Sequence, residues 1–393
     1  MPYDFDDIID HKDSHLIKWQ YPSPYLLHSI NEPPLPLWIA DMDFKCPNEV
    51  LNALHDAINK GILGYTRASD DMFEAIIQWQ LQHHGWSIRE EWIVQTPGVV
   101  NSLSLIIQTF TQQGDDILIQ PPVYGSFYNC SLLNGRHVVT APLIEKTANY
   151  VLDIDEFEAA ITPKTKLFFL CNPHNPIGHV WSKEELTAMG NVCLRHGIMV
   201  ISDEIHQDLI LTMGKYHQPF ASIHDEFADI CITCTSPSKT FNLAGLQTSN
   251  LFITNKRVRD ELKRTYARCS LHIPNMLGLV ACEAAYRYGD LWLSELLIYL
   301  RDNRRFLKQY LDHLPQVKLF ESDALYLGWL DFRNSGIEPQ NLQGKLLNHS
   351  RLWLDDGIKF GSDYAGFARI NFACSRSILN VAMQRLSRLF EEC

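Results

Sequence analysis

Residues 229–246 have the sequence DICITCTSPSKTFNLAGL, in which an apolar run is followed by small and polar residues around Lys239. Residues 229–235 predict a buried strand, because isoleucine and threonine suit a pleated surface and little polar alternation interrupts the run. The serines and glycine that follow predict a turn at the end of that strand. Lys239 is therefore either a reactive amine at a strand end or a solvated lysine in a surface turn.

The same kind of apolar run recurs along the first two thirds of the chain. Helical patterns separate several of the runs, and residues 182–197 have a capping-box serine and glutamate at their start and Gly197 at their end. Alternating strands and helices predict an α/β fold, with a mainly parallel seven-stranded sheet between helices. The other six predicted strands are WIVQ, DDILIQ, HVVT, KLFFLC, IMVIS and SNLFIT.

The pattern changes near residue 286. A long amphipathic stretch covers residues 291–314, and the strand-like segment ALYLGWLDF follows at 324–332. These features predict a large domain over residues 46–285 and a smaller C-terminal α/β domain over 286–393. Residues 1–45 are expected to pack on the small domain and on a partner subunit. The natural place for a site is the cleft between the two domains.

Composition excludes several classes of partner. The net charge of −12 argues against nucleic acid and anionic membrane surfaces, and no apolar run is long enough to span a bilayer. The acidic start of the sequence lacks the apolar core of a signal peptide, and the ten cysteines are scattered through apolar segments. A cytoplasmic protein is therefore predicted. Cys231 and Cys234 should point to opposite faces of their strand, which predicts no metal there.

Two segments could hold a phosphate. Val99 and Val100 open a predicted helix after Gly98, where backbone N–H groups and the helix dipole favour an anion. Ser236 and Ser238 flank Lys239 closely enough to offer hydroxyl groups to the same anion. Ordinary helix capping explains the valines equally well when they are considered alone.

Other side chains at strand ends suit a planar aldehyde cofactor. Tyr124 could stack on its ring, Asn175 could donate to its phenolic oxygen, and Asp203 could pair with its protonated nitrogen. His206 could address the phenolate or hold Asp203, and the amine of Lys239 could bind the aldehyde covalently. Core packing, a plain turn and a structural histidine are the alternatives for Tyr124, Asn175 and His206. Taken together, these residues predict pyridoxal 5'-phosphate as the cofactor.

The chain resembles the fold type I pyridoxal phosphate enzymes, the aspartate aminotransferase superfamily. Within that superfamily it is similar to the cystathionine β-lyase or C–S lyase subgroup of the MalY/PatB type, and the resemblance covers nearly the whole chain. The motifs that carry it are WIADMDF at 38–44, GYTRASDDM at 64–72, PGVV at 97–100, PPVYGSF at 121–127, NPHNPIG at 172–178, SDEIHQDL at 202–209, SPSKTFNLAGLQ at 236–247 and FARINFACSR at 367–376.

The resemblance implies catalytic roles for Lys239, Asp203 and Tyr124 and the cofactor contacts already described. It also implies that Arg369 clamps the substrate α-carboxylate, with Asn175 and Tyr65 beside the substrate. Tyr65 would reach in from the neighbouring subunit of a homodimer, where it also contacts the cofactor. No metal is implied.

The resemblance implies cleavage of the Cβ–S bond of cystathionine, cysteine or S-substituted cysteines to a thiol, pyruvate and ammonia. An aminotransferase is the alternative, because both reactions use the same residues. Gln247 replaces the phosphate-binding arginine that is usual in aminotransferases, which favours the lyase. A regulatory protein with incidental lyase activity is a second alternative. Ala324, Leu325 and Ser375 also depart from the subgroup pattern, in the region that sets substrate size.

Overall fold

The strands form one large and one smaller sheet, with two short pairs beside them. The computed structural model describes residues 3–11, 14–20, 32–271 and 274–391. The strands in chain order are β1 Leu35–Pro36, β2 Ile93–Thr96, β3 Asp116–Ile119, β4 His137–Thr140, β5 Ile144–Glu145, β6 Tyr150–Val151, β7 Thr165–Cys171, β8 Met199–Asp203, β9 Cys231–Thr235, β10 Ser249–Phe252, β11 Lys318–Leu319, β12 Leu327–Asp331, β13 Leu352–Trp353, β14 Asp355–Asp356 and β15 Phe367–Asn371.

The large sheet has seven strands in the order β2-β10-β9-β8-β7-β3-β4. Strand β10 runs antiparallel to both of its neighbours, and the pairs from β9 to β4 are parallel. Each of the seven predicted runs forms one of these strands, so the predicted sheet is confirmed. Most of these strands are buried on both faces, which explains why their sequences are nearly continuous apolar runs.

Helices cover both faces of this sheet. Cys231 packs in one core cluster and Cys234 in the other, on opposite faces of β9 as predicted. The helices are α1 Ile17–Gln20, α2 Asn48–Asn59, α3 Asp70–His84, α4 Val99–Phe110, α5 Ser126–Leu133, α6 Ile154–Ala159, α7 Lys183–His196, α8 Asp225–Asp229, α9 Pro237–Thr240, α10 Lys256–Arg268, α11 Met276–Tyr288, α12 Asp290–Leu311, α13 Leu342–Asn348 and α14 Arg376–Ser387.

The predicted crossover helix is α7, and its two ends match the sequence signals. Ser182 accepts a hydrogen bond from the Glu185 N–H at 3.1 Å, and the Glu185 carboxylate accepts one from the Ser182 N–H at 2.8 Å. Gly197 ends the helix at φ 65°, a conformation that glycine adopts without steric cost. The capping box fixes the start of α7, and Gly197 ends the helix two residues before β8, the strand that ends at Asp203.

A second sheet lies C-terminal to the first, in the order β11-β12-β15-β14, with antiparallel pairing throughout. The segment ALYLGWLDF supplies β12 at its centre. Residues 32–44 lie beside this sheet: β1 pairs with β13 in a separate two-stranded sheet, and the side chain of Asn371 in β15 donates to the carbonyls of Ile39 and Asp41. The boundaries at 45/46 and 285/286 stay predictions. No helix in the described ranges is long and apolar enough to cross a membrane.

Candidate active site

A cavity of about 910 Å³ lies where the two sheets meet. One side, the sheet wall, is formed by residues at the ends of strands of the large sheet or shortly after them: Val99, Val100, Tyr124, Asn175, Asp203, His206 and Lys239. The other side, the outer wall, is formed by residues 38–40, 355 and 358–362, and Arg369. Because parallel strands end at one edge of a sheet, their following residues converge on this cavity.

Lys239 lies in the short helix α9, which Ser236 caps by accepting a hydrogen bond from the Ser238 N–H. Its amine donates to the Ala40 carbonyl at 2.6 Å and lies 3.4 Å from an Asp41 carboxylate oxygen. About a fifth of the side chain is exposed, so the amine is accessible from the cavity. Burial lowers the pKa of Lys239, although Asp41 opposes that shift. A lowered pKa increases the fraction of free amine, the form that reacts with aldehydes.

Asp203 is the last residue of β8 and is almost completely buried. Burial raises the pKa of its carboxyl group to about 7. Among the described residues, the side-chain carboxylate of Asp203 accepts one hydrogen bond, from the Ile205 N–H at 3.3 Å. No lysine, arginine or histidine nitrogen of those residues lies within ion-pair distance of this carboxylate. A protonated pyridine nitrogen would provide the missing partner and would bring the pKa of Asp203 back down.

Tyr124, Asn175 and His206 line the same cavity, as predicted. The Asn175 side-chain oxygen accepts from Arg369 at 3.0 Å, which leaves its NH₂ group to donate elsewhere. Nδ1 of His206 is buried without a hydrogen-bond partner in the described structure. Burial and the nearby cations lower the pKa of His206 well below its usual value, so its imidazole is neutral at pH 7.

The predicted phosphate residues divide into two groups. Val99 and Val100 begin α4 and line the cavity, and the first intrahelical bond after them runs from the Ser102 N–H to the Gly98 carbonyl. Their own N–H groups therefore precede the helical ladder and have no intrahelical acceptor, so they could hold an anion. Ser236 and Ser238 are not among the lining residues. The Ser236 hydroxyl lies 2.7 Å from the Thr248 carbonyl and serves the α9 cap.

Arg369 is nearly buried in β15, and neighbouring groups fix its orientation. It donates to Asn175, to the Trp38 carbonyl at 2.9 Å and to the Asp355 carboxylate at 2.8 Å, and it lies over the Phe360 ring. Its Nε is buried without a hydrogen-bond partner in the described structure. Because Arg369 lines the cavity, its guanidinium group could hold a substrate carboxylate there.

Tyr65 does not reach this cavity within one chain. Its side chain is 95% exposed, in a segment between α2 and α3. The structure therefore brings together the other predicted ring and substrate residues and leaves Tyr65 outside. Its predicted role depends on a second copy of the chain.

Arg369 is the one residue of the outer wall for which the sequence predicted a role. The backbone of WIADMDF supplies Ala40 to Lys239, while Asp355 and Lys359 form an ion pair of 2.7 Å beside Arg369. One available signal was that two aspartates interrupt the apolar segment 37–44. No local pattern indicated Asp355 and Lys359, because their significance depends on Arg369.

A buried polar network holds α9 against the loop after β8. Asp208 accepts from the Thr240 hydroxyl at 2.6 Å, from the Trp79 indole at 3.0 Å, and lies 2.8 Å from His84. Thr240 is the immediate neighbour of Lys239. Asp208 thus fixes the position of the lysine relative to His206 and Asp203, which lie in the same segment.

These residues fit pyridoxal phosphate. A buried carboxylate without a cation, a buried histidine nitrogen without a partner, a lysine with a lowered pKa and a helix start all face one cavity. They match the ring nitrogen, the phenolic oxygen, the aldehyde and the phosphate of that cofactor, respectively. The fold and the site together define a protein of the fold type I pyridoxal phosphate class.

Comparisons with known proteins agree with this class. The family model Aminotransferase class I and II matches residues 33–386, so the chain belongs to this family. It is 43% identical to cystathionine beta-lyase PatB of Bacillus subtilis over 90% of this chain and 91% of that protein. It is 32% identical to protein MalY of Escherichia coli over 96% of both chains. The crystal structure of cystalysin from Treponema denticola, which contains pyridoxal 5'-phosphate, matches with a TM-score of 0.95 and 32% identity, covering 100% of this chain and 99% of that one.

Proposed function

We propose that this protein is a pyridoxal phosphate-dependent C–S β-lyase. It cleaves the Cβ–S bond of cystathionine, cysteine or S-substituted cysteines and releases a thiol, pyruvate and ammonia. The observation that carries the proposal is the convergence of Lys239, Asp203 and Arg369 on one cavity. The 43% identity to a cystathionine β-lyase supports the choice of reaction.

The residues of the sheet wall would hold the cofactor. Lys239 would bind it covalently, Asp203 would pair with its ring nitrogen, and Asn175 and His206 would address its phenolic oxygen. Tyr124 would cover the ring, while the N–H groups of α4 would hold the phosphate. When bound, pyridoxal phosphate supplies an electron sink for negative charge that develops at the substrate Cα.

The chain's own groups then position the substrate and move one proton. Arg369 would bind the α-carboxylate through its free Nε, and this contact orients the Cα–H bond toward Lys239. The substrate amino group would take the place of Lys239 on the cofactor, and the amine so freed would accept that proton at Nζ. Its lowered pKa increases the fraction of free amine, the form that acts as a base. Departure of the thiolate from Cβ completes the elimination, and water hydrolyses the released 2-aminoacrylate to pyruvate and ammonia.

Transamination is the second candidate, because a lysine that accepts the α-proton can also return it to the cofactor. Gln247 is the residue that favours elimination. Its side chain is uncharged, so it supplies no cation where aminotransferases usually have a phosphate-binding arginine. It ends a 3₁₀ turn at φ 48° and does not line the cavity. A regulatory protein with incidental lyase activity is the third candidate, and its test is capture of a partner from lysate.

The proposal includes a homodimer in which Tyr65 enters the partner's cavity. An exposed apolar segment supports this arrangement: Ile62, Leu63 and Tyr65 are 80%, 66% and 95% exposed. Such a run of large apolar side chains is expected to be covered by another protein surface. We also propose a cytoplasmic location, since the described cysteines are all free thiols. The domain limits 46–285 and 286–393 belong to the same proposal.

The decisive experiment is pyruvate release from L-cystathionine by the holoenzyme, with no oxoacid acceptor present. Wild-type protein should release pyruvate over many turnovers, and Lys239→Ala should not. Lys345→Ala, an exposed lysine on α13, is the matched control and should keep wild-type activity. Absence of pyruvate from both L-cystathionine and an S-alkyl cysteine, with oxoacid formed once an acceptor is added, would establish transamination instead.

A further inference from the structure

The outer wall carries a second cation that the reaction itself does not use. Lys359 lines the cavity, and its ammonium group lies 2.7 Å from Oδ1 of Asp355, whose Oδ2 lies 2.8 Å from Arg369. A single carboxylate therefore joins the guanidinium that would hold the α-carboxylate to a second ammonium further out. The local charge of this triad is positive in a chain whose net charge is −12.

The position of Lys359 is fixed, although its ammonium group is accessible. The Phe360 carbonyl accepts a hydrogen bond from the Val123 N–H at 3.1 Å, and the Lys359 carbonyl oxygen lies only 2.6 Å from the place that a Cβ on Gly125 would occupy. The turn is thus locked against the segment that presents Tyr124. The Lys359 side chain is nevertheless 52% exposed, which leaves its ammonium group open to the cavity.

The ammonium group also has donors to spare. A lysine has three N–H donors, and Asp355 takes one of them. The Trp38 ring lies 5.4 Å from Nζ and is itself stacked on Trp353 at 4.7 Å. The indole therefore bounds the ammonium on one side with an aromatic face, which attracts a cation and accepts no conventional hydrogen bond. The remaining donors suit a second carboxylate.

We propose that Lys359 determines substrate specificity by binding the distal carboxylate of a thioether that carries an amino-acid group at both ends. This inference rests on the proposed C–S lyase function. Arg369 would take the carboxylate next to the bond that breaks, and Lys359 the carboxylate on the leaving thiol. Asp355 lies between the two cations and holds both in place through its two carboxylate oxygens. The preferred substrates would then be of the cystathionine class and not simple S-alkyl cysteines.

The test compares two substrates that share the reacting end. The kcat/KM ratio of L-cystathionine to S-propyl-L-cysteine is measured for wild type, Lys359→Met and Lys359→Arg holoenzymes. The ratio should fall at least tenfold in Lys359→Met, mainly through KM for L-cystathionine, and return to within threefold of wild type in Lys359→Arg. Lys359→Glu should also raise relative activity on S-(2-aminoethyl)-L-cysteine, whose distal end is a cation.

Lys345→Met removes the same charge far from the cavity and should leave the substrate ratio unchanged. A ratio that falls less than tenfold in Lys359→Met would overturn the assignment, including the case in which both substrates weaken equally because Arg369 is disturbed. A wild-type enzyme that releases pyruvate from neither substrate would overturn the lyase function itself. The two failures are therefore distinguishable.

Discussion

The two walls of the cavity are built differently. Each residue of the sheet wall lies at the end of a strand of one sheet or shortly after it. The position of each residue is therefore set by the strand that it ends or follows. The outer wall is assembled over long distances in sequence: Arg369 contacts Asn175 across 194 residues, and Lys239 contacts Ala40 across 199. The sheet wall offers groups that suit a cofactor, and the outer wall offers ion pairs that suit a substrate. Chemistry and selectivity should therefore respond to different substitutions.

The largest loss of activity is expected from substitution of Asp203. Asp203→Asn keeps the shape of the side chain and removes the charge that would keep the ring nitrogen protonated. We expect kcat to fall by roughly a hundredfold or more, as when other preorganised electrostatic groups are removed. Steady-state pyruvate assays on holoenzyme measure it, with Asp229→Asn, an exposed residue before β9, as control. A kcat within a factor of three of wild type would mean that the sheet wall does not hold the ring nitrogen at Asp203.

Without cofactor, Asp203 should also make stability depend on pH. Burial raises its pKa to about 7, whereas an unfolded aspartate has a pKa of about 3.9. The folded state therefore binds a proton more tightly, and stability is lost as pH rises from about 4 to about 7. The loss is on the order of a few kcal/mol, since one pKa unit corresponds to about 1.4 kcal/mol.

Urea unfolding of cofactor-free wild type and Asp203→Asn between pH 5 and 8.5 measures this contribution. The advantage of the variant should grow up to about pH 7 and then level off. Adding pyridoxal phosphate should remove most of that advantage, because the ring nitrogen would then pair with the carboxylate. A pH-independent difference between the two proteins would contradict the inferred pKa.

Substitution of Arg369 is expected to have a smaller effect, which is a weaker binding of substrate. Arg369→Lys keeps a charge and loses the fork that contacts Asn175, Asp355 and the Trp38 carbonyl. We expect KM to rise about 10- to 100-fold for L-cystathionine and S-propyl-L-cysteine alike, because a charged hydrogen bond is worth about 1.5–3 kcal/mol. The equal loss on both substrates distinguishes this arginine from Lys359. A selective loss on one substrate would mean that the α-carboxylate binds elsewhere.

The smallest effect is expected from a substitution outside both walls, and it should change stability and not activity. Ser182→Ala removes one side of the capping box at the start of α7 and should lower the free energy of unfolding by about 1 kcal/mol. Since the cap does not contact the cavity, kcat and KM should stay at wild-type values. Urea unfolding at fixed cofactor concentration and a pyruvate assay test both statements. A change in KM would show that the crossover helix influences the site.

Much of the sheet wall could be predicted, because a strand, its end and the residue that follows are neighbours in sequence. The seven strands, the capped helix α7 and the meeting of Tyr124, Asn175, Asp203 and Lys239 follow from that local order. Ser236 illustrates the limit of this reasoning. It is adjacent to Lys239 in sequence, yet its hydroxyl is directed to the Thr248 carbonyl and the α9 cap.

The α/β fold and the meeting of several strand-end residues at one cavity could be predicted from the sequence, because hydrophobic periodicity and strand-end position are local properties. The burial of Lys239 beside Ala40, the raised pKa of Asp203 and the link that Asp355 makes between Arg369 and Lys359 emerge only from the folded chain. Burial and ion pairing depend on groups that approach from distant parts of the chain. Their energies are set by the packed surroundings, which no single segment of the sequence contains.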